Sequence, residues 1–238
     1  MNIEQDMLTL RLTGMSHMWQ TLQESRKHLE LELTDGLGIL LQAESEYRHE
    51  HRLLRLEKAA SFRYQASIEE IAFKKNRNIN KSQLLTLADC RFIDKGEAVL
   101  ITGSTGSGKS FIASALGYQA CSKGYRTIYF NLKKLMDYLK RCRADGSIFK
   151  QMNRIAKQQL LILDDFGLSP METQQRLDLL ELIEDRHGKM ATIICAQLPV
   201  ANWYDVIGDD TIADAIMDRL IHQANRIELK GESMRKNR

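Results

Sequence analysis

Paired cysteines are missing from this sequence. Its four cysteines, Cys90, Cys121, Cys142 and Cys195, stand far apart with no CxxC among them. That argues against a zinc site and against a secreted disulfide framework. Long apolar runs are missing too. None approaches ~18 residues, so no segment is expected to span a membrane. The opening MNIEQDML is acidic and does not lead from basic residues into an apolar stretch, so no secretory signal is expected. A soluble, cytoplasmic protein is the default. Nor does either charge dominate. Lys and Arg number 34 against 31 Asp and Glu, which excludes a uniformly basic, histone-like chain and leaves room for local basic patches only. Proline is absent from the first 65 residues, which also hold few strand formers.

The chain has 238 residues, 43% of them hydrophobic. That length suits one large domain or one domain with a small appendage, and a real core forms at this size without covalent staples. Two regimes are visible. Residues 1–65 are rich in Leu, Glu, Gln, His and Arg. Leu8, Leu12, Met15, Trp19 and Leu22 recur at spacings of three and four, the stripe of an amphipathic helix. After Gly36 and Gly38 a second helical pattern runs through Leu40, Ala43, Tyr47, Leu53, Leu54, Leu56 and Ala60. This region reads as a small helical domain that either packs on the main domain or binds DNA or a partner. Residues 66–238 read as α/β. Short apolar runs at Ala98–Thr102, Thr127–Asn131, Leu160–Asp164, Thr192–Ala196 and, more weakly, Arg226–Leu229 alternate with helical patterns at Phe111–Lys123, Leu132–Arg143 and Gln174–His187. Continuous apolar strands alternating with helices predict a parallel sheet covered on both faces.

The segment Gly103-Ser104-Thr105-Gly106-Ser107-Gly108-Lys109-Ser110 matches GxxxxGK[ST] in full, with a strand before it and a helix after it. Glycines let the backbone curl so that successive N–H groups point into one concavity. The following helix adds the positive end of its dipole. Lys109 is expected to reach the β- and γ-phosphates of ATP and the Ser110 hydroxyl to ligate Mg²⁺. Phe111, next in the chain, is counted with the nucleotide-binding residues. A second acidic element, LLILDDFG, sets two carboxylates at the end of an apolar strand. Asp164 is the expected magnesium-side carboxylate. Asp165 either orients the attacking water, with one methylene less reach than a glutamate, or caps the turn through Phe166 and Gly167.

GSTGSGKS, LLILDDFGLSP, TIICAQLPVANWYDVIGDDTIADAIMDRLIH, the tail RIELKGESMRK and the N-terminal LRLTGM together resemble the IstB-type ATPases of bacterial insertion sequences, over nearly the whole chain. The broader relatives are DnaC-like helicase loaders of the AAA+ class. The resemblance implies an AAA+ core with a five-stranded parallel sheet, a small helical domain before it, and a helical lid that is reduced or absent. It gives Arg219 of IMDRL the role of an arginine finger reaching a neighbouring subunit's ATP, for which a permanent charge and a planar fork of donors are suited. The alternative for Arg219 is a surface ion pair with Asp214 or Asp218. Gln197 is the one amide at the end of the fourth strand and stands where a γ-phosphate sensor belongs, or is an ordinary turn residue before Pro199. Arg235 is the tail's candidate for a second sensor, or part of a disordered basic tail.

Nine Lys and Arg against four Glu between residues 48 and 81 leave a local charge of +5. Arg48, Arg52 and Arg55 are spaced to share one helical face, with Lys58, Arg63, Lys74, Lys75, Arg77 and Lys81 following. A second cluster, Lys133, Lys134, Lys140, Arg141 and Arg143, follows the second strand, where DnaA- and DnaC-like ATPases line an oligomer's channel. Either cluster is a candidate for neutralising DNA phosphates, or is a solvated face. No base-reading motif is present, so little sequence specificity is expected. The family reading is an ATPase that assembles as a ring or helical homo-oligomer on double-stranded DNA and recruits its cognate transposase, with no membrane partner. A replicative helicase loader is the alternative. A metabolic P-loop kinase fits less well, because it calls for a mobile lid and leaves Arg219 unexplained.

Overall fold

The computed structural model describes residues 3–73, 77–222 and 224–231. The chain divides into two compact units, Met1–Arg55 and Leu56–Arg238.

In the first unit, α1 (Ile3–Thr9), α2 (Thr13–Glu24) and a 3₁₀ turn at Lys27–Leu29 precede α3 (Leu33–Ala60). The stripe from Leu8 to Leu22, expected to be one helix, is two. Arg11 takes a left-handed conformation (φ 59°), and the Leu12 N–H bonds back to Met7 O at 2.8 Å, closing α1 in the manner of a C-cap. α3 begins ahead of Gly36 and Gly38 rather than after them. A helical glycine costs only ~1 kcal/mol, and the Gly36 N–H finds Glu32 O at 2.9 Å. Gly14 of α2 lies tight against α3: a Cβ there would stand 2.6 Å from both Ala43 O and Tyr47 Cβ. Next to that contact Glu44 is buried, and its carboxylate accepts from the Met15 N–H at 3.1 Å and from Arg48 Nε at 2.6 Å. Met15, Leu22 and Leu40 form this unit's small core.

The second unit contains α4 (Lys81–Ala88), α5 (Arg91–Asp94), β1 (Ala98–Gly103), α6 (Lys109–Ser122), β2 (Thr127–Asn131), α7 (Leu132–Ala144), α8 (Ile148–Ala156), β3 (Leu160–Phe166), α9 (Thr173–Arg186), β4 (Ala191–Ala196), α10 (Trp203–Ile207), α11 (Asp210–Ile221) and β5 (Asn225–Leu229). The five strands form one sheet in the order β2-β3-β4-β1-β5, with every pair parallel. Alternate residues of each strand serve opposite faces. Leu160 and Ile162 join Ile112 and Leu116 of α6 in one core, while Leu161 and Leu163 join Leu135 of α7 and Leu179 of α9 in the other. That double burial is why β3 reads as an unbroken apolar run. Residues 56–65, grouped by composition with the helical region, lie in the second unit. Phe62 and Tyr64 pack against the α6 side of the core, and the space over Gly117 is filled by Phe62, whose Cε1 would meet a Cβ at 2.4 Å.

Arg186, the last residue of α9, is 1% exposed. Its guanidinium donates to Ile155 O and Ala156 O (3.1 Å each), Gln158 O (2.7 Å), Thr192 Oγ1 (3.1 Å) and Ala191 O. It thereby satisfies carbonyls at the end of α8 that have no partner within the helix. All four cysteines are buried and unpaired. No described helix is long and apolar enough to cross a membrane.

Candidate nucleotide-binding site

All strands point the same way, so their carboxyl ends share one edge of the sheet, the edge at which open α/β folds bind ligands. β1 ends there at Gly103 and α6 starts at Lys109. The intervening loop is built on left-handed glycines, and two are sterically enforced. A Cβ at Gly103 (φ 148°) would stand 2.5 Å from Leu229 O, and one at Gly108 (φ 98°) would stand 2.6 Å from Arg77 Nη2. Arg77 is 7% exposed and clips the loop, donating to Ser107 O and Ala72 O at 2.8 Å each. Lys109 Nζ curls back over the loop to Gly103 O (2.7 Å) and Ser104 O (2.8 Å). The buried Ser107 Oγ has no hydrogen-bond partner among the described residues. A cavity of ≈ 400 Å³ brings Thr105, Gly106, Gly108, Lys109, Ser110 and Phe111 together with Asp165 and Gln197. A cradle of this shape, lined by the Lys109 ammonium, the Ser110 side chain and a helix start, fits a nucleoside triphosphate.

Asp164 and Asp165 sit at a bulge in β3. The β3–β4 register breaks between Leu163 and Phe166, and Asp165 is left-handed (φ 59°). A bulge re-aims side chains at a strand end, and aspartate tolerates positive φ better than most residues. Asp164 is fully buried. Its Oδ1 accepts from the Asp165 N–H at 2.9 Å, and its Oδ2 accepts from the Tyr129 hydroxyl and from Arg63 Nη1 at 3.3 Å. Asp165 Oδ2 accepts from Asn131 Nδ2 at 2.8 Å and from the same Arg63 nitrogen at 3.1 Å. Among the described residues these are the partners of the Asp165 side chain, so it does not cap the Phe166–Gly167 turn. Burial, with the Asp164 charge adding to it, pushes the Tyr129 phenol far above its ordinary value, so Tyr129 is a donor at every working pH. The hard oxygens of Ser110 and Asp164 suit magnesium, which keeps most of its waters and takes one or two protein ligands.

Gln197 follows β4 and accepts from Thr105 Oγ1 at 2.7 Å, against the glycine loop. Arg219 is elsewhere. In the last turn of α11, its Nη2 meets Glu184 Oε1 of α9 at 2.5 Å and its Nη1 meets Ala215 O at 2.7 Å. The ion-pair partner is therefore Glu184 and not Asp214 or Asp218, because those carboxylates stand five residues and one residue before Arg219 on α11, off its face, while Glu184 of α9 lies alongside. Arg219 borders a small cleft with Gly96 and Ala98, at the start of β1, so it does not reach the loop of its own chain at that strand's other end. Arg235 lies outside the described residues, as do Lys74 and Lys75.

In the first unit Arg48, Arg52 and Arg55 are all exposed, with Arg48 held by Glu44 and the Arg55 Nε by His51 O at 3.3 Å. In the second unit α7 buries Leu132, Leu135, Met136 and Leu139 and leaves Lys133, Lys134, Lys140 and Arg141 exposed. Lys140 lies 3.7 Å from Glu172, and Arg143 is engaged by Asp178.

Four residues of the site, Arg63, Arg77, Tyr129 and Asn131, were not legible as site residues. A signal existed for two of them. Thr127, Tyr129 and Asn131 put polar groups at alternate positions of β2, hence on one face, and Asn131 pairs in register with Asp164.

The family model for "IstB-like ATP binding protein" matches residues 5–238. An insertion-sequence ATP-binding protein of Sinorhizobium fredii, y4pL, is 39% identical over 229 residues, covering 96% of this chain and 94% of that one. Among solved structures, the DnaC helicase loader aligns with a TM-score of 0.57 at 20% identity, over 74% of this chain and 99% of that one. DnaA bound to AMPPCP and single-stranded DNA aligns with a TM-score of 0.59 at 16% identity, over 70% and 50%. At such identities these two structures speak to the AAA+ fold alone.

Proposed function

The chain belongs to the IstB-like ATP-binding proteins of insertion sequences and is an ATPase, and from that premise we propose that it assembles on duplex target DNA as an ATP-dependent homo-oligomer and there recruits its element's transposase. One observation carries the proposal. A complete phosphate loop stands at one end of β1, while the arginine suited to finish such a site stands at the other end, away from the loop of its own chain.

Magnesium bound with the nucleotide neutralises phosphate charge that develops during hydrolysis, and Ser110 and Asp164 are the residues to hold it. Lys109 leaves its loop carbonyls for the β- and γ-phosphates. Asp165 orients the attacking water and takes its proton as the bond from the γ-phosphorus to the bridging oxygen breaks, giving ADP and phosphate. Gln197 reads the γ-phosphate beside Thr105. Arg219 of a neighbouring copy supplies the last positive charge. ATP then acts as a switch ligand that favours the assembled state, and its hydrolysis releases or commits the complex. Arg48, Arg52 and Arg55, or Lys133, Lys134, Lys140 and Arg141, contact phosphates without reading bases.

The test is electron microscopy with duplex DNA and a non-hydrolysable ATP analogue. Rings or filaments are expected with both ligands present and with neither alone. A preference for single-stranded DNA with stable capture of a replicative helicase would favour a helicase-loader role instead.

A further inference from the structure

Arg63 is three residues beyond the end of α3, in the segment that packs on the α6 side of the sheet. One nitrogen, Nη1, bridges the two acidic side chains, at 3.3 Å from Asp164 Oδ2 and 3.1 Å from Asp165 Oδ2. Its guanidinium also lies over the Tyr64 ring, 5.5 Å from the centroid. The side chain is 38% exposed, whereas Asp164 is completely buried. Arg63 lines the same cavity as Lys109 and Ser110.

A buried carboxylate carries a large penalty unless it is paired. Asp164 has two neutral donors, the Tyr129 hydroxyl and the Asp165 N–H, and one cationic donor, Arg63. Its neighbour Asp165 adds a like charge. Arg63 is therefore the cationic donor that serves both adjacent carboxylates among their described partners. A divalent cation needs the same Asp164 oxygens, and a guanidinium 3.3 Å away repels it. Both cations cannot hold Oδ2 at full strength.

We propose that Arg63 is a positioning residue that competes with magnesium for Asp164. It neutralises the acidic pair before nucleotide arrives and surrenders Asp164 when the metal–nucleotide complex loads. Tyr64 gives the released guanidinium a face to rest on, and Asp165 remains a second anchor, so the movement is a side-chain swing. This rests on the reading of Asp164 as the magnesium-side carboxylate. The consequence is a raised magnesium requirement: the site closes on metal-bound nucleotide in preference to free nucleotide.

The experiment is a magnesium titration of the binding of a fluorescent ADP analogue, comparing the unaltered chain with Arg63→Gln. The variant is expected to reach half-maximal magnesium-dependent binding at roughly three- to tenfold lower metal, the size suited to a partly buried ion pair. Without metal or nucleotide its thermal midpoint is expected to fall, and magnesium with ADP to close that gap. An unchanged or higher metal midpoint would overturn the competition. No magnesium-dependent nucleotide binding by the unaltered chain would overturn the reading of the site itself, and the competition with it. A structure of the unaltered chain with magnesium and a non-hydrolysable analogue gives an answer even if the variant does not fold. Arg63 is expected clear of Asp164, and a retained Arg63–Asp164 contact beside the metal would refute the idea.

Discussion

Arg219 offers the sharpest test of a site shared between copies, because its ties within one chain set a cost that can be worked out. To serve a neighbour it must leave Glu184. The two side chains are 27% and 48% exposed, and an ion pair of that exposure contributes about 0.5–1 kcal/mol. A finger that speeds hydrolysis at least tenfold contributes about 1.4 kcal/mol or more to the transition state, so the exchange is favourable. Arg219→Ala is therefore expected to bind a fluorescent ATP analogue nearly as the unaltered chain does and to hydrolyse ATP at least about tenfold more slowly. Glu184→Gln frees the arginine and should raise the rate by about two- to fivefold at limiting protein concentration, where assembly is incomplete. The decisive assay mixes two inactive variants on duplex DNA. Lys109→Ala still presents Arg219, and Arg219→Ala still presents the loop, so junctions between them contain one whole site. ATPase activity should return on mixing and rise with concentration. If the two variants demonstrably co-assemble and no activity returns, Arg219 is a surface ion-pair residue and the shared site is wrong.

Four further outcomes are expected. Lys109→Ala should lose nucleotide binding in a fluorescence titration, since the ammonium that spans Gly103 O and Ser104 O is also the loop's charge for phosphates; wild-type affinity would sink the loop assignment. Asp164→Asn should abolish the magnesium dependence of binding, whereas Asp165→Asn should bind and assemble but turn over slowly, leaving long-lived DNA complexes. Wild-type hydrolysis by Asp165→Asn would remove its role with water. Duplex affinity should fall steeply with salt, each neutralised phosphate adding roughly 0.9 to the log–log slope. Arg52→Glu with Arg55→Glu, or Lys133→Glu with Lys134→Glu, should flatten it, and a salt-independent affinity would rule out backbone binding. Arg186→Leu strips the donor from four backbone carbonyls and should cost about 2–4 kcal/mol in urea denaturation; a loss under about 0.5 kcal/mol would show that those carbonyls find other donors.

The glycine loop, the acidic strand end and the five strands were readable because each is local: a motif, a run or an alternation within a few residues. What pairs with Asp164 and Asp165 was not, because β2 and β3 are neighbours through a parallel crossover with α7 and α8 between them. Only the register of Asn131 against Asp164 reveals that Tyr129 and Asn131 face the acidic pair. Arg63 was harder still. It counted as one more charge in a basic run, yet about 100 residues separate it from the carboxylates it bridges. The break at Arg11 and the continuity of α3 through Gly36 and Gly38 were misread for the opposite reason. There, local spacing suggested a boundary that hydrogen bonding moved.

The burial of every cysteine makes the folded chain a blank for thiol chemistry. Burial raises the Cys90 and Cys121 thiols to about 11 and Cys195 well above its ordinary value, so little nucleophilic thiolate exists near neutral pH. A single cysteine introduced at an exposed position such as Leu33, which is 88% exposed, would take a dye while the native four stay silent. Energy transfer between copies labelled in this way reports assembly in solution without removing any native cysteine. Conversely, the slow reaction of the native thiols becomes a clock. Each reacts only when its part of the chain opens, so Cys90, Cys121, Cys142 and Cys195 time the opening of the α4–α5 turn, α6, α7 and β4 in turn.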